Sequence, residues 1–468
     1  MGEKRQGEAS GERTSFSPRL LGLGFWQAWW MLVLCTPLVL PRTDRFLGMS
    51  LGSWTLVLTS VGFGLLALYA RTRGPLIEKR GALALAGLLC SGGTALCLAS
   101  GVLLVPAAGI VAFAISLCAA AFGNALLLVM WVELWSSLAT ERVIQYLFSS
   151  YAFAFILFFA VQALPQPAAA IALCLLPAAS SIVLRSSESE TRRSPSRAAF
   201  VVDRRLAMKA VIAVAAAGMA YGLAVSCFSR VAALGAARGD FIVATIVFAA
   251  LTLHALLGRS AVDPAAVYRP ITPAVSVGVM LLAVLPPASM FWGDGLVIAG
   301  GYCLDMTVML VSADLAFRAK RPVALYFACS IIALRIATVF GLTIGSVLAD
   351  AGLMAPDSQA PLLAAAVLVV VAGTLVFTQA DLQRFYRIEV APWAGDDLSE
   401  RCRALAGGFG LTARETEVFE LLASGRNVPF ICKELCIAES TARHHVGSIY
   451  RKLGVYDRQS MLDVIQQG

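Results

Sequence analysis

The sequence predicts an all-α protein: a polytopic helical membrane bundle of about twelve spans in a 6+6 layout, followed by a small four-helix domain. Three observations lead there. Of 468 residues, 59% are hydrophobic and only 14% are charged, against about 25% charged in an ordinary soluble chain. Apolar runs long enough to cross a bilayer as helix, about 20 residues each, recur between residues 22 and 379. After residue 379 the composition shifts to mixed charge, Pro and Gly, and then to short apolar stripes at helical spacing.

Spans are expected near 22–40, 47–70, 81–101, 107–135, 143–164 and 167–184, and again near 208–229, 241–257, 271–292, 295–317, 323–348 and 361–379. The polar stretch 185–209 (RSSESETRRSPSRAAFVVDRRLAMK) separates the two sets. The expected organisation is a tail (1–20), a first six-span half (21–184), a central loop (185–209), a second half (210–379), a linker with one short helix around 396–406 (380–410), and a terminal domain (411–468). Charge orients the map. With the N-terminus inside, inward segments hold twenty-one Lys and Arg, whereas outward turns hold four: Arg42, Arg45, Arg230 and Arg238. The positive-inside rule then puts both termini on the cytoplasmic side of the inner membrane. The first apolar segment lacks a cleavage site and reads as a retained span. Trp26, Trp29, Trp131, Trp135 and Trp292 fall near span ends, where interfacial anchoring is expected.

This layout resembles the major facilitator superfamily, and RTRGPLIEKR (71–80) falls where that family carries a short Gly- and basic-rich loop. A shift of 181 residues superposes Asn124 and Glu133-Leu134 on Asp305 and Asp314-Leu315. Transporter folds are built from such repeats, with binding sites between the halves.

An ionisable group deep in a span costs about 2.5–3.5 kcal/mol, so it faces a partner or a cavity. Asp305 and Arg335 lie about halfway along adjacent, oppositely running spans and can meet at one depth. They read either as a ligand pocket or switch, or as a static ion pair locking two helices. Glu133 and Asp314 fall near cytoplasmic span ends, and Asp314 stands four residues before Arg318, a spacing for an exposed helix pair. Asn124 either lines a cavity or bonds a neighbouring helix. These five residues are the candidates for a small-molecule ligand or switch. His254 is expected to pack inside the bundle. The eleven cysteines form no disulfide framework. Cys432 and Cys436 are expected in the terminal core, since His444 and His445 do not complete a zinc spacing. With no Gly-rich phosphate loop and no Ser/His/Asp arrangement, no enzyme activity, metal or cofactor is expected.

The terminal domain is sharper. Thr412 with Glu415 forms a capping box for a helix ending near Gly425, with Val418, Leu421 and Leu422 as its apolar stripe. Pro429 suits the first turn of a second helix, with Ile431 and Leu435 inward. A turn at Cys436–Ala438 leads to a third helix carrying Val446, Ile449, Tyr450 and Leu453. A fourth, from about Asp457, carries Met461, Leu462 and Ile465. This stretch resembles the LuxR-type helix-turn-helix domain, matching in order Leu411-Thr412, Arg414-Glu415, Glu417-Val418, Gly425, Ile431, Leu435, Glu439, Thr441, Arg443, His445, Ile449, Lys452-Leu453 and Arg458. It departs at Ala438, Ala442 and Gly447, the last a position from which related domains often reach a base.

The resemblance implies that the third helix enters the major groove of double-stranded DNA. Arg443 and His444 would read bases, Ser440, Thr441, Arg451 and Lys452 would contact phosphates, and the fourth helix would pair two protomers. Residues 411–468 hold seven Lys and Arg against seven Asp and Glu, so binding must use a local basic face. The whole chain resembles membrane-bound LuxR-type regulators, which implies a one-component regulator in which the bundle senses a small molecule or a membrane signal. The alternative is a secondary transporter fused to a DNA-binding domain.

Overall fold

The structure is a computed structural model describing residues 17–36, 45–46, 49–103, 106–138, 140–187, 204–231, 239–257, 271–351, 367, 395–424, 428–455, 461 and 464–465. It divides into two compact units, Met1–Thr378 and Gln379–Gly468.

In the first unit a 3-10 turn, Pro18–Gly22, leads into α1 (Leu23–Cys35), and a two-residue hairpin pairs β1 (Arg45–Phe46) with β2 (Met49–Ser50). Then come α2 (Leu51–Arg73), α3 (Arg80–Leu103), α4 (Pro106–Ser136), α5 (Thr140–Gln162) and α6 (Gln166–Ser186). The second half holds α7 (Arg204–Val231), α8 (Gly239–Leu257), α9 (Ile271–Val284), α10 (Phe291–Ala319) and α11 (Val323–Asp350). Local chemistry sets several boundaries. The Ser50 hydroxyl caps α2 by accepting from the Ser53 amide at 3.1 Å. Pro106 opens α4, where its missing N–H is harmless. Lys320, at φ 51°, closes α10 in the left-handed conformation.

Among the described residues nine helices are long and apolar enough to cross a membrane. Helices α1 and α9, at 13 and 14 residues, are shorter than the sequence suggests, α1 being preceded by its 3-10 turn and α9 stopping before Pro286. The expected span 361–379 lies outside the described residues, apart from the single position 367. Leu88, Ile110 and Ile182 are each 70% exposed on the outside of the unit. A bare aliphatic surface of this kind suits hydrocarbon, where the helices satisfy their own backbone.

Helix contacts repeat with a period of six. In the first half α1 packs on α5, and α4 on both α2 and α3; in the second α7 packs on α11, and α10 on both α8 and α9. The halves meet through α2 with α11 and through α5 with α8, pairs that exchange under the same shift counted around twelve. Aromatic rings fill both seams: Phe63 meets Phe327 edge-on at 5.4 Å, and Phe155 meets Phe248 at 5.6 Å.

Four of the five tryptophans expected at the interface are buried instead. Trp26, Trp29, Trp131 and Trp135 are at most 1% exposed, and only Trp292, at 49%, lies outside. The indole N–H groups of three of them find acceptors inside the protein: Trp26 donates to Asn124 Oδ1 (2.7 Å), Trp29 to Thr94 Oγ1 (3.0 Å) and Trp131 to Ser180 Oγ (3.0 Å). A buried hydroxyl or amide oxygen replaces the lipid headgroup as acceptor. His254 also departs from expectation, its side chain exposed in the last turn of α8.

The second unit contains α12 (Gly395–Gly408), α13 (Ala413–Ala423), α14 (Val428–Glu434) and α15 (Glu439–Leu453). Its core joins Val418, Phe419 and Leu422 of α13 to Ile431, Ile449 and Leu453, with Met461 and Ile465 from the region of the expected fourth helix. Helix α12, placed by the sequence in the linker, contributes Cys402 and Leu405 to this core. Of the cysteines expected in the core, Cys432 is half-buried and Cys436 is exposed.

Candidate functional site

Helix α15 presents two faces. Ala442, Ile449 and Leu453 point into the core, whereas Ser440, Arg443, His444, Gly447 and Arg451 are exposed. The offsets of three and four residues from Ser440 through His444 and Gly447 to Arg451 make that second set one continuous stripe. Thr441 is exposed beside it, and His445 is half-buried. A side chain at Gly447 would meet nothing within 4 Å, so the stripe has an open gap at its centre.

Arg443 is held ready by Glu439, one turn earlier, through Nε (3.1 Å) and Nη2 (2.6 Å) to the same carboxylate oxygen. The pair is 72% and 59% exposed, so releasing the guanidinium costs only about 0.3–0.5 kcal/mol.

The helix is fixed at both ends. At its start, Arg414 Nη2 donates to the Leu435 carbonyl (2.6 Å), holding the end of α14 that leads into the turn. At its end, Glu415 collects four contacts. Oε2 accepts from the Thr412 amide (2.8 Å) and the Lys452 ammonium (2.7 Å), Oε1 accepts from the Ser448 hydroxyl (2.6 Å), and the Glu415 amide donates to Thr412 Oγ1 (3.3 Å). The capping box is therefore also the clamp between α13 and α15. These donors, led by Lys452 and Ser448, depress the Glu415 carboxyl to about 2. Lys452 further donates to the Gly410 carbonyl (3.0 Å). Two of its three N–H groups thus serve the domain. Gly454, at φ 69°, ends α15, with the Val455 amide donating to the Tyr450 carbonyl (2.9 Å).

The turn between α14 and α15 holds Cys436 at φ 52°, a left-handed conformation that is unfavourable for L residues. Cys436→Gly should raise the melting temperature of this unit, by up to about 1 kcal/mol in stability. Loss of DNA binding on heating would report the change, and an earlier loss than in the parent would contradict it.

In the membrane unit the structure brings Asp305 and Arg335 together. Arg335 Nη2 lies 3.6 Å from Asp305 Oδ2, with side chains 11% and 10% exposed. The guanidinium carbon sits 5.1 Å from the Trp30 ring centroid, so α1 of the other half covers the pair. Asn124 stands apart, accepting from Trp26 and donating to Thr59 Oγ1 at 3.5 Å, which joins α4 to α1 and α2. Glu133, 5% exposed, accepts the amides of Leu76 and Ile77 (both 2.8 Å) and fastens the 74–79 turn. Asp314 is buried at 6%, which departs from the exposed helix pair its spacing implied. Sequence reasoning misses Gln27, Tyr151 and Tyr302, all buried within the unit. Gln27, a lone amide in the apolar run FWQAWW, carried a readable signal.

A helix-turn-helix reading surface and a two-half helical bundle in one chain define a DNA-binding membrane protein. Residues 410–465 match the family described as bacterial regulatory proteins, luxR family. Over 59 residues the chain is 42% identical to spore germination protein GerE of Bacillus subtilis (strain 168), covering 80% of that protein and 12% of this chain. Over 48 residues it is 50% identical to probable transcriptional regulatory protein NarL of Mycobacterium tuberculosis (strain ATCC 25618 / H37Rv), which is 10% of this chain and only 22% of NarL's length. The chain belongs to the luxR family through its C-terminal domain. The remainder is similar in fold to FucP, a major facilitator superfamily transporter solved in the outward conformation, with a TM-score of 0.50 and 12% identity over 77% of this chain and 98% of that one. A luxR-type helix-turn-helix domain is here fused to a major-facilitator-like membrane domain.

Proposed function

We propose that the chain is a one-component transcriptional regulator anchored in the inner membrane with both termini cytoplasmic. Its bundle senses a small molecule or membrane signal and thereby controls DNA binding by the C-terminal domain as a homodimer. One observation carries this reading: an intact, outward-facing reading stripe on α15 shares a chain with a bundle whose two halves close over an internal ion pair. Arg443 and His444 read base edges; Ser440, Thr441, Arg451 and the remaining N–H of Lys452 hold phosphates. Asp305 and Arg335 form the element whose pairing changes with state, while Asn124 and Glu133 hold helices together elsewhere in the bundle.

Arg443→Ala should weaken binding to the cognate operator by about 1–3 kcal/mol and relax base preference at one position. Arg451→Ala should weaken all sequences alike and flatten the salt dependence. Operator occupancy in cells, read alongside membrane fractionation, tests this. Undiminished occupancy by an Arg443→Ala chain that still inserts would remove the readout assignment. Counterflow in proteoliposomes, once the ligand is in hand, separates a sensor from a transporter that moves its ligand.

A further inference from the structure

We infer that the centre of the membrane unit is a binding site for a zwitterion, a compound bearing a carboxylate and an ammonium on neighbouring atoms and an apolar body, as an apolar α-amino acid does. The inference rests on the sensing role proposed above and names the ligand class of that site. It starts from an ion pair that is poorly made. At 3.6 Å, Asp305 and Arg335 lie beyond hydrogen-bond reach. A charge pair buried this deeply offsets its desolvation only with close geometry and full hydrogen bonding. Arg335 Nε has no hydrogen-bond partner among the described residues, although the residue is only 9% exposed. Two fully buried side chains share the defect. Among the described residues the Tyr151 hydroxyl, within electrostatic reach of both charges, has no hydrogen-bond partner, and neither has the oxygen or the nitrogen of the Gln27 amide, which stands on α1 three residues before Trp30. Buried polar groups are nearly always satisfied, and a convergence of exceptions calls for an absent partner.

The chemistry of these groups selects the ligand. The open edge of Arg335, Nε with an Nη, has the fork geometry that receives a carboxylate side-on, and Tyr151 O–H and the Gln27 N–H add donors. Asp305 and the Gln27 carbonyl are the matching acceptors for an ammonium. A simple anion would leave the buried site with a net negative charge and a simple cation with a net positive one, each strongly opposed by desolvation. A zwitterion exchanges one slack internal pair for two close ones at constant net charge. The walls are aromatic: Trp30 lies against Arg335, and Tyr151 lies tilted against Tyr302 with centroids 5.7 Å apart. They favour an apolar or aromatic body over a polar one. Entry of the ligand between Asp305 and Arg335 moves α10 from α11, converting occupancy into a change of helix packing.

The test uses the full-length protein in lipid nanodiscs, with thermal unfolding as the readout. The probes are L-leucine, L-phenylalanine and L-tryptophan at millimolar concentration, with phenylpropionate and phenethylamine as analogues carrying one charge each. At least one amino acid should stabilise the protein saturably, and the one-charge analogues should bind about tenfold more weakly or worse, because each leaves a buried charge unpaired. Arg335→Gln and Asp305→Asn should each remove the shift. Should either fail to fold, Tyr151→Phe keeps the core shape and should weaken the response severalfold. The inference is overturned if no amino acid stabilises, if a one-charge analogue matches the amino acids, or if the response survives in these variants. A zwitterion that binds as described without changing operator binding would uphold the ligand class and defeat the sensing role. Reporter output responding only to a compound lacking one of the charges would do the reverse.

Discussion

Glu415→Ala is expected to unfold the DNA-binding unit at growth temperature while the membrane unit stays folded. The substitution removes the capping box and strands Lys452 and Ser448, the two α15 groups that the carboxylate holds at 2.7 and 2.6 Å. The donors that depress its carboxyl to about 2 favour the ionised form in the folded state, and losing a helix cap together with charge-assisted hydrogen bonds costs about 1–3 kcal/mol. That is a large share of what a small domain possesses. The two units have separate cores, so the loss should stay local. Limited proteolysis should digest the C-terminal unit of the variant and spare the bundle, and operator binding should vanish. The pH dependence has a definite sign. Because the folded value lies below the unfolded one, Glu415 contributes fully above about pH 4.5 and progressively less as pH falls towards 2. The stability gap between the parent and Glu415→Gln should close over that window. A gap constant from pH 7 to pH 2 would rule out the carboxylate as its source.

Gly222→Val should give the largest loss in the membrane unit. Helices α7 and α11 touch backbone to backbone there: a Cβ at Gly222 would lie 2.2 Å from the Thr338 carbonyl oxygen, and one at Gly341 2.3 Å from that of Met219. Neither obstacle is a flexible side chain, so the helices must separate, at a cost of about 3 kcal/mol or more. Gly92→Ala in α3 is the control. A Cβ there meets nothing within 4 Å, and the change should be neutral or stabilise by up to about 1 kcal/mol. Thermal unfolding in one detergent compares them. Equal melting temperatures would mean that the close approach of α7 and α11 is dispensable.

Much of this was readable from residue type and spacing. Thr412 and Glu415 announced the start of α13, because capping is a local interaction that leaves a local signature. The depth at which Asp305 and Arg335 could meet followed from their positions in antiparallel spans. The tryptophans misled, because nearness to a span end says nothing about whether a ring turns towards lipid or towards another helix. Glu133 could be flagged as costly, but its partners are backbone amides 56 and 57 residues away, and no side-chain pattern advertises those. Tyr151 and Gln27 gain their meaning only when α1, α5, α10 and α11 converge, which is a property of tertiary packing.

The fastening of α15 at both ends restricts how any signal can act. With Arg414 gripping the turn before it and Glu415 gripping its last turns, the reading helix cannot be tilted or slid without dismantling the module that carries it. Under the proposed function, control by this chain is therefore a matter of logistics: the bundle can set whether a finished reading head is delivered to a promoter, not which letters it reads.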